Sequence, residues 1–398
     1  MKNKKVVLAY SGGLDTSYCV KYLTAEKGHE VHSVLVNTGG FTQEELVEVE
    51  ARAYELGVKS HTSIEETANY YSSVVKYLIF GNILKNSTYP LSVSAERISQ
   101  ALAIAKHAKT LDAAFIAHGS TGAGNDQVRF DMIFQTFLPD AEIITPIRDL
   151  KLSREEEIEY LKSKGVEMDF SKAAYSVNKG LWGTSVGGKE TLTSNGFLPE
   201  EAFPTKMTKE HPEELELGFE EGELKSVNGE KFELPHEAIQ YLETLAGPFG
   251  IGRDIHVGDT IIGIKGRVGF EAAAAMLTIK GHQALEKHVL TKWQIYWKDQ
   301  IAAFYGNWLH EGQFMDPVMR DMETMMESSQ KYVTGKVSIT LLPYRFQVNG
   351  IESAHDLMSA KFGHYLVMNN AWIGDDVKGF TKIFGNQNAI YHQVNSSL

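Results

Sequence analysis

The sequence KKVVLAYSGGLDTS, residues 4–17, decides the fold that we predict for the N-terminal part of the chain. Its apolar residues are typical of a β-strand, which stops at the pair Gly12 and Gly13 and is followed by a polar helix N-terminus. Adjacent glycines let the backbone turn and present successive N–H groups to an anion. The hydroxyls of Ser11 and Thr16 add donors, and the helix dipole adds partial positive charge. The stretch therefore predicts a binding site for the phosphates of a nucleotide.

An ordinary strand-to-helix turn, with Asp15 or Thr16 as the N-cap, is the structural alternative for the same residues. The stretch lacks the patterns of a Walker loop and of a G-x-G-x-x-G fingerprint. Residues 11–17, Ser-Gly-Gly-Leu-Asp-Thr-Ser, instead resemble the pyrophosphate loop of the N-type ATP pyrophosphatases, which cleave ATP between the α and β phosphates. The resemblance implies that an acceptor oxygen is adenylylated and that a nitrogen or sulfur nucleophile then displaces AMP.

The composition of the chain limits the classes of protein to which it can belong and the kinds of partner that it can bind. The 398 residues, 43% hydrophobic and 23% charged, are typical of a globular protein with two or three domains. No apolar run approaches the roughly 18 residues of a membrane span, and the N-terminal apolar stretch ends too soon for a signal peptide. We therefore expect a cytoplasmic protein without membrane contact. A net charge of -12 argues against an extended nucleic-acid surface and favours small-molecule substrates.

The chain contains one cysteine, Cys19, which the pattern places on the helix after the loop as a buried thiol. A single cysteine excludes an intramolecular disulfide. Enzymes that thiolate tRNA generally need a second thiol, so that branch of the pyrophosphatases is disfavoured. Members that take ammonia from glutamine carry a cysteine nucleophile, a role that Cys19 does not suit.

Short β-rich runs alternate with helical patterns over residues 1–169, which we predict to form a nucleotide-binding domain. Thr42 with Glu45 and Ser153 with Glu156 are possible capping boxes at helix starts. Alternating βα units imply an α/β fold with a doubly wound parallel sheet, whose ligands bind at the carboxyl ends of the strands. The predicted strands are residues 4–10, 30–37, 58–64, 113–118 and 141–147.

Longer loops begin near residue 170, and residues 170–375 are predicted to form a second, α+β domain. The elements predicted there are a hairpin turn at Asn228-Gly229, a helix at 236–246, a strand pair around 260–265 and a long helical region at 272–308. Residues 376–398 have a strand-like and then a polar pattern. A tail of this length either docks on another subunit or frays.

A second glycine-rich stretch follows another predicted strand and reads HGSTGAGNDQVRF, residues 118–130. Three glycines in six residues free its backbone to approach a ligand. Thr121, Asn125, Asp126 and Arg129 bring together a hydroxyl, an amide, a carboxylate and a fork-shaped cation. A flexible surface loop that caps a helix beginning near Asp126 is the alternative. Because both glycine-rich stretches follow parallel strands, one cleft can hold both.

Residues 9–17 and 118–130 together closely resemble the argininosuccinate synthase family. Weaker matches with the family are Tyr89 and Ser94, Tyr175-Ser176 and Ser185 nine residues apart, and residues 332–335, Tyr-Val-Thr-Gly. The resemblance implies a homotetrameric enzyme of arginine biosynthesis with a nucleotide domain, a synthetase domain and a C-terminal oligomerisation tail. Its reaction would condense citrulline with aspartate to argininosuccinate through a citrullyl-adenylate and release AMP and pyrophosphate.

The resemblance also implies a role for each matching residue, and Asp15, Asp126 and Arg129 are the catalytic candidates. ATP would contact Ala9, Tyr10, Ser11, Gly12, Gly13, Leu14, Asp15, Thr16, Ser17, Val36 and Gly119. Aspartate would contact Thr121, Asn125 and Asp126. Citrulline would contact Tyr89, Ser94, Asn125, Arg129, Ser176 and Ser185. Mg²⁺ would arrive with ATP as part of the substrate, so we expect no protein-built metal site and no tightly bound cofactor.

Two further residues near these motifs have both a functional and a structural interpretation. Arg97, three residues past Ser94 on a predicted helix, either assists Arg129 with anionic substrates or is a solvated helical arginine. His118 either accepts a proton from the aspartate amine or is a structural hydrogen bonder, and we favour the structural role.

The chain departs from the family at two positions that are usually assigned to citrulline. The family carries a glutamate where this chain has Gly258 and a tyrosine where it has Phe270. Losing the charged partner of an ammonium costs about 1.5 to 3 kcal/mol. The substrate's α-amine is therefore either blocked, for instance by an acyl group for which Gly258 leaves space, or covered by Asp259 or water after neutral drift. The sequence leaves both open.

Two other functions compete with this interpretation. One is another amide-forming or amidating ATP pyrophosphatase, of the kind that makes asparagine, GMP or NAD. The other is a noncatalytic nucleotide-binding module, which would not need the second polar loop.

Overall fold

The structure is a computed structural model that describes residues 5–167, 175–358, 363–367 and 371–396. Its strands are β1 (Lys5–Ala9), β2 (Glu30–Asn37), β3 (Ser60–Glu65), β4 (Phe115–Ala117), β5 (Glu142–Ile144), β6 (Ser176–Gly180), β7 (Gly183–Gly187), β8 (Glu213–Glu220), β9 (Glu223–Val227), β10 (Glu230–Lys231), β11 (Asp254–Asp259), β12 (Lys265–Glu271), β13 (Gly335–Leu342) and β14 (Arg345–Glu352). Its α-helices are α1 (Leu14–Lys21), α2 (Gln43–Leu56), α3 (Thr67–Tyr70), α4 (Lys76–Phe80), α5 (Ser92–Thr110), α6 (Asp126–Phe137), α7 (Pro146–Leu150), α8 (Arg154–Ser163), α9 (Pro235–Ala246), α10 (Ala273–Val289), α11 (Lys292–His310), α12 (Pro317–Gln330), α13 (Gly374–Phe384) and α14 (Asn386–Asn395).

The first five strands form a parallel sheet in the order β3-β2-β1-β4-β5, which confirms the predicted doubly wound α/β fold. Side chains alternate across β1, so that Val6 and Leu8 join one buried cluster and Val7 joins the other. The cluster on the Val6 face includes Cys19, which confirms the predicted buried thiol. Helices cover both faces, as a parallel sheet requires.

The remaining strands form two antiparallel sheets, β10-β9-β8-β13-β14 and β11-β12-β7-β6, which confirms the predicted α+β character of this part. The buried cluster on the Val7 face of the parallel sheet continues through Ile98 of α5 and Trp182 to Leu277 of α10. Residues from both parts of the chain therefore share one core, and they also meet at the carboxyl edge of the parallel sheet. The predicted boundary between residues 169 and 170 lies outside the described residues.

Local sequence signals located several helix ends correctly. Both predicted capping boxes are present, because Thr42 Oγ1 and Ser153 Oγ accept from the amides of Glu45 and Glu156 and those carboxylates accept in return. Gly57 ends α2 in the left-handed conformation at φ 104°. The predicted strand 30–37 coincides with β2, whereas the other predicted parallel strands are a few residues shorter or shifted.

Two predictions for the second part need correction. The predicted strand pair at 260–265 is the turn between β11 and β12, where Thr260 and Ile264 pair and Gly263 has φ 83°. The apolar Ile261 and Ile262 are typical of a strand but lie at this turn. The predicted helical region 272–308 is two helices, because Thr291 caps the start of α11.

The predicted strand-like tail is wrong, since α13 and α14 are helices. Phe380, Ile383 and Phe384 recur at helical spacing on α13, and no residue of either helix is buried. Aromatic and β-branched side chains are typical of strands, but here the helical spacing of the apolar residues outweighs that propensity. Among the described residues, no helix combines the length and the apolar character that crossing a bilayer requires.

Candidate active site

The phosphate loop, residues 9–17, begins at the carboxyl end of β1 in the centre of the parallel sheet. Gly12 has φ +76°, and a Cβ there would lie 3.0 Å from Val49 Cγ2 of α2, so both conformation and space favour glycine. The N-cap of α1 is Gly13, and no side chain caps the helix. The alternative N-caps Asp15 and Thr16 lie inside α1. The first-turn amides of α1 therefore point out of the helix N-terminus, a position at which helices can bind an anion.

Hydroxyl groups and one arginine fix the shape of the phosphate loop. Ser11 Oγ lies 3.3 Å from Thr16 Oγ1 and accepts from the Gly13 amide at 3.4 Å. Arg52 of α2 donates from Nη1 to the Gly12 carbonyl at 3.1 Å. Sequence reasoning missed Arg52, because only the tertiary packing of α2 brings it to the loop.

The other residues predicted to contact ATP surround the phosphate loop. Val36 is buried on β2, which pairs with β1, and the Tyr10 amide donates to the Val34 carbonyl at 2.9 Å. Gly119 follows β4, and a Cβ there would lie 3.3 Å from Asp15 Cβ. The two glycine-rich stretches thus meet at the ends of the neighbouring strands β1 and β4. The chain continues from β1 toward β2 and from β4 toward β5, on opposite flanks of the sheet, so this is the switch point of a doubly wound fold.

A second carboxyl group lies beside Asp15. Glu157 of α8 is buried, and burial followed by the adjacent Asp15 carboxyl raises the pKa of Glu157 to about 8. At neutral pH Glu157 is therefore mostly protonated and adds little negative charge next to the loop. The sequence contained no signal for this pair, because the two helices that carry it are far apart along the chain.

Three side chains, Arg97, Asp126 and Arg129, form a cluster that we call the Asp126 clamp. Arg97 Nε donates to Asp126 Oδ2 at 3.0 Å, and Arg129 Nη1 donates to Asp126 Oδ1 at 2.9 Å. Burial opposes ionisation of Asp126, but Arg97 and Arg129 outweigh it and lower the pKa of its carboxyl. Arg97 is thus a partly buried ion-pair partner and not a solvated helical arginine.

Arg129 is held on a second side by the C-terminus of α11. Its Nε and Nη2 donate to the His310 carbonyl at 3.1 and 2.8 Å. His310 itself is buried, and burial followed by the charge of Arg129 lowers the pKa of its imidazole to about 3. The guanidinium is therefore fixed in position before any substrate arrives, and sequence reasoning missed the residue that fixes it.

Arg97 connects the clamp to the rest of the cleft. It donates to Asn178 Oδ1 of β6 at 2.7 Å and to Glu96 Oε1 at 2.9 Å. The buried Glu96 also accepts from Thr38 Oγ1 at 3.0 Å. Burial raises the pKa of Glu96 to about 7, although Arg97 and Thr38 act in the opposite direction.

The remaining residues of the second loop occupy different environments. Asn125 Oδ1 accepts from the Ile261 amide at 2.8 Å, so the turn between β11 and β12 reaches this loop. Thr121 is exposed. His118 accepts the Ser120 amide on Nδ1 at 3.2 Å, which leaves Nε2 to donate to Asp131 at 2.9 Å. Both nitrogens of His118 are occupied, which supports its structural interpretation.

Four of the residues predicted to contact citrulline, Tyr89, Ser94, Ser176 and Ser185, lie outside the second loop, which carries Asn125 and Arg129. Tyr89 and Ser94 are buried at the start of α5. Ser185 of β7 pairs with Asn178 of β6, and Ser176 lies diagonally from Ser185 on the same face of this ladder. Ser185 is buried, whereas Ser176 is exposed. Because Asn178 accepts from Arg97, this face turns toward the Asp126 clamp.

The position that departs from the family, Gly258, shares the inner face of β11 with His256. A Cβ on Gly258 would lie 2.5 Å from His256 Nε2, so the imidazole occupies the space in which a side chain at 258 would begin. The expectation that Gly258 leaves open space is therefore wrong. Asp259 points to the other face and pairs with Lys265 at 2.6 Å, so it does not replace the missing glutamate. Phe270 is buried on β12 opposite Ser185.

A glycine-rich phosphate loop at the switch point of a doubly wound sheet, facing a carboxylate held by two arginines, defines a nucleotide-dependent enzyme of the ATP pyrophosphatase class. Two family models match the chain: "Arginosuccinate synthase N-terminal HUP domain" over residues 5–167 and "Arginosuccinate synthase C-terminal domain" over residues 175–391. The chain belongs to the argininosuccinate synthase family, which comprises ATP-dependent carbon–nitrogen ligases of arginine biosynthesis.

Similar proteins support this assignment over nearly the whole chain. The argininosuccinate synthase of Methanocaldococcus jannaschii is 39% identical over 359 residues, which cover 89% of each chain. That of Xanthomonas campestris pv. campestris is 36% identical over 408 aligned residues, which cover 99% of this chain and 100% of the relative. That of Dictyoglomus thermophilum is 35% identical over 393 residues, or 98% of both chains. The comparisons thus favour this family over the pyrophosphatases that make asparagine, GMP or NAD.

Proposed function

We propose that this protein condenses citrulline, or an N-acylated citrulline, with aspartate through a citrullyl-adenylate and releases AMP and pyrophosphate. One observation carries the proposal: Gly119, at the start of the second loop, packs against Asp15 of the phosphate loop. This contact joins a site for the ATP phosphates to the loop that carries Asp126 and Arg129. A noncatalytic nucleotide-binding module would not need the second of these sites.

In this proposal ATP lies along residues 9–17, with Val36 and Gly119 beside the adenosine. Mg²⁺ arrives with ATP and binds phosphate oxygens and water, so the protein supplies no dedicated metal site. The uncapped N-terminus of α1 and the left-handed Gly12 support this placement. Asp15 lies in the first turn of α1, beside the amides that would bind the phosphates, and would position the cation that accompanies ATP, which makes it a candidate catalytic residue.

The proposed chemistry follows from the weakness of both reactants. A ureido oxygen is a poor nucleophile and its carbon is a poor electrophile. Attack of that oxygen on the α phosphorus expels magnesium pyrophosphate and turns the oxygen into part of a leaving group. The aspartate amine then attacks the same carbon, and AMP departs with the former ureido oxygen. Positioning of three substrates and stabilisation of phosphoryl charge supply the catalysis, without an enzyme nucleophile.

The Asp126 clamp supports the proposed roles of the amino-acid sites. Aspartate would contact Thr121, Asn125 and Asp126. Citrulline would contact Tyr89, Ser94, Asn125, Arg129, Ser176 and Ser185. Asp126 stays ionised because two guanidiniums lower its pKa, and Arg129 is held rigidly by the His310 carbonyl. Both residues can therefore orient substrates without reorganising.

The charge of the inner face of β11 suits an N-acylated substrate better than a free ammonium. That face presents His256 and Gly258, and the nearest acidic side chain on the strand, Asp259, points away. An ammonium placed there would lack the carboxylate that usually neutralises it. Acylation removes the positive charge and substitutes an amide.

We further assign residues 1–169 to a nucleotide-binding domain, residues 170–375 to a synthetase domain and residues 376–398 to a tail that docks on another subunit of a cytoplasmic homotetramer. The exposed apolar side chains of α13 support the docking role. A lone amphipathic helix pair with no buried residue is more stable when a partner covers it.

The test is to mix the protein with ATP, aspartate and either citrulline or N-acetylcitrulline, and to measure AMP and pyrophosphate. We expect both products in equal amounts, and a loss of turnover in Asp15→Asn and in Arg129→Ala. Lys336→Gln, an exposed residue of β13, is the control that should retain full activity. Unchanged turnover in both site variants, or phosphate and ADP as products, would contradict the proposal.

A further inference from the structure

Three residues form a small subsite that we call the β11 subsite. Two of them, His256 and Gly258, lie on the inner face of β11, and the third, Lys85, lies in the segment before α5. The ring of His256 stacks on Tyr89 with 5.2 Å between centroids and 22° between planes. Phe270 lies 5.3 Å from the same tyrosine ring. Because Tyr89 is a proposed citrulline contact, His256 is held at the edge of the substrate site.

One nitrogen of this imidazole has no partner. His256 is 5% exposed, and its Nδ1 has no hydrogen-bond partner among the described residues. Leaving a buried polar atom unpaired costs about 1 to 3 kcal/mol, so such atoms normally bind a ligand or water. Burial, and then the charge of Lys85, lower the pKa of His256. The neutral ring presents one N–H donor and one acceptor.

Lys85 adds a positive charge next to Tyr89, the residue on which the His256 ring stacks. The backbones of Lys85 and Tyr89 exchange hydrogen bonds of 2.8 and 3.0 Å, which fixes this lysine next to the substrate site. Its Nζ donates to the amide oxygen of Asn307 at 2.9 Å, and it forms no salt bridge with a carboxylate in the part of the chain that the structure describes. After burial and the charge of Arg129, the lysine charge also lowers the pKa of His310.

The nearest acidic groups do not neutralise Lys85. Burial lowers its pKa, and Glu311 and Asp259 offset that effect only in part, while Arg129 adds to it. Both carboxylates are exposed, and Asp259 is already paired with Lys265. The subsite therefore carries an N–H donor and an incompletely neutralised cation where the family has a glutamate. Such a site attracts an anion and repels an ammonium.

We infer that the substrate's α-nitrogen carries an acyl group that itself ends in a carboxylate, with the amide bonded by His256 and the terminal carboxylate paired with Lys85. The inference rests on the proposed N-acylated citrulline and names its chemical class, a half-amide of a dicarboxylic acid. An uncharged acyl group such as acetyl would satisfy His256 but would leave Lys85 without an anion.

The test compares kcat/KM for free citrulline, N-acetylcitrulline and N-succinylcitrulline at saturating ATP and aspartate. We expect the succinyl compound to exceed the acetyl compound by about 10-fold or more, because it gains a charge-assisted hydrogen bond. Lys85→Gln should remove that advantage and leave the other two substrates within about twofold. Lys265→Gln is the matched control: it removes a cation from the same hairpin on its outer face and should leave the order unchanged.

Each contrary result has a distinct meaning. A preference for free citrulline contradicts the N-acylated substrate and this inference together. Equal rates with the acetyl and succinyl compounds, both above free citrulline, contradict the terminal carboxylate alone. A Lys85→Gln variant that loses the same factor on all three substrates shows that Lys85 binds the α-carboxylate that they share, which overturns the inference. Thermal unfolding of each variant separates these outcomes from misfolding.

Discussion

In our proposal the phosphate loop and the β11 subsite bind two ends of the combined substrates, and they are built differently. The loop uses backbone amides, two glycines and a helix N-terminus that are contiguous in sequence. The β11 subsite uses the side chains of Lys85 and His256, from segments far apart along the chain. A site built from backbone amides tolerates few substitutions, because binding depends on the backbone conformation. Side-chain construction can change its ligand through one or two residues, so specificity is expected to vary at the β11 subsite.

The largest effect should come from the cluster between these two ends. Asp126→Asn removes the negative charge shared by Arg97 and Arg129, and it removes one of the two hydrogen bonds, worth about 1.5 to 3 kcal/mol, because the amide keeps one acceptor oxygen and its NH2 group cannot accept. We expect kcat/KM for aspartate to fall about 100-fold or more, measured by AMP formation. A loss below threefold would show that neither end depends on the Asp126 clamp.

Protonation of the buried Glu96 should make the free energy of unfolding depend on pH. The pKa of Glu96 is raised to about 7 in the folded protein, so its protonation stabilises the fold fully below about pH 4.5, and this contribution is lost as the pH rises through about 7. Relative to Glu96→Gln, the wild-type free energy of unfolding should fall by about 2 kcal/mol between pH 5 and pH 8. Urea unfolding at both pH values measures this, and parallel profiles for the two proteins would refute the burial argument.

Straining the backbone of the phosphate loop should weaken ATP binding by about 1 to 2 kcal/mol, which corresponds to a rise of roughly 10-fold in the KM for ATP. Gly12→Ala places a side chain at φ +76° and 3.0 Å from Val49 Cγ2. Gly57→Ala is the matched control, since Gly57 also has a positive φ but lies in open space at the end of α2. It should lower stability without changing the KM for ATP. Equal KM values in the two variants would count against a phosphate site at Gly12.

The smallest expected effect is an exchange of specificity at the β11 subsite. In the double variant His256→Ala with Gly258→Glu, removal of the imidazole makes room for a carboxylate that pairs with a free α-amine. The ratio of kcat/KM for free to acylated citrulline should rise about fivefold, consistent with a partly exposed ion pair. Gly258→Glu alone should be less active, because its Cβ meets His256 Nε2. A ratio that does not move would argue against the subsite.

The comparison of the two ends also explains what the sequence could predict. The loop at residues 9–17, β2 and the capping boxes at Thr42 and Ser153 depend on contiguous residues, and the structure has them as expected. Glycine conformation and cap chemistry are local, so a single sequence contains the necessary signal. The second glycine-rich loop was equally recognisable for this reason.

Other features depend on tertiary structure and had no local signal. Arg52, Glu157 and His310 reach the cleft only because distant helices pack there. The predicted positions of the hairpin strands are wrong because the apolar residues Ile261 and Ile262 lie in the turn. When a strand is placed at the wrong residues, the residues that share its inner face cannot be identified. The relation of His256 to Gly258 could therefore be seen only in the structure. The tail is helical although it contains β-favouring residues, because its apolar residues recur at helical spacing.

The central claim, that the phosphate loop aims the α phosphorus of ATP at a ureido oxygen, can be tested by isotope transfer. The substrate is labelled with ¹⁸O in the ureido group and turned over with ATP and aspartate, and the products are analysed by mass spectrometry. We predict one ¹⁸O atom in AMP and none in pyrophosphate, because the oxygen bonded to the α phosphorus leaves with it. Label in pyrophosphate or in neither product would contradict the account.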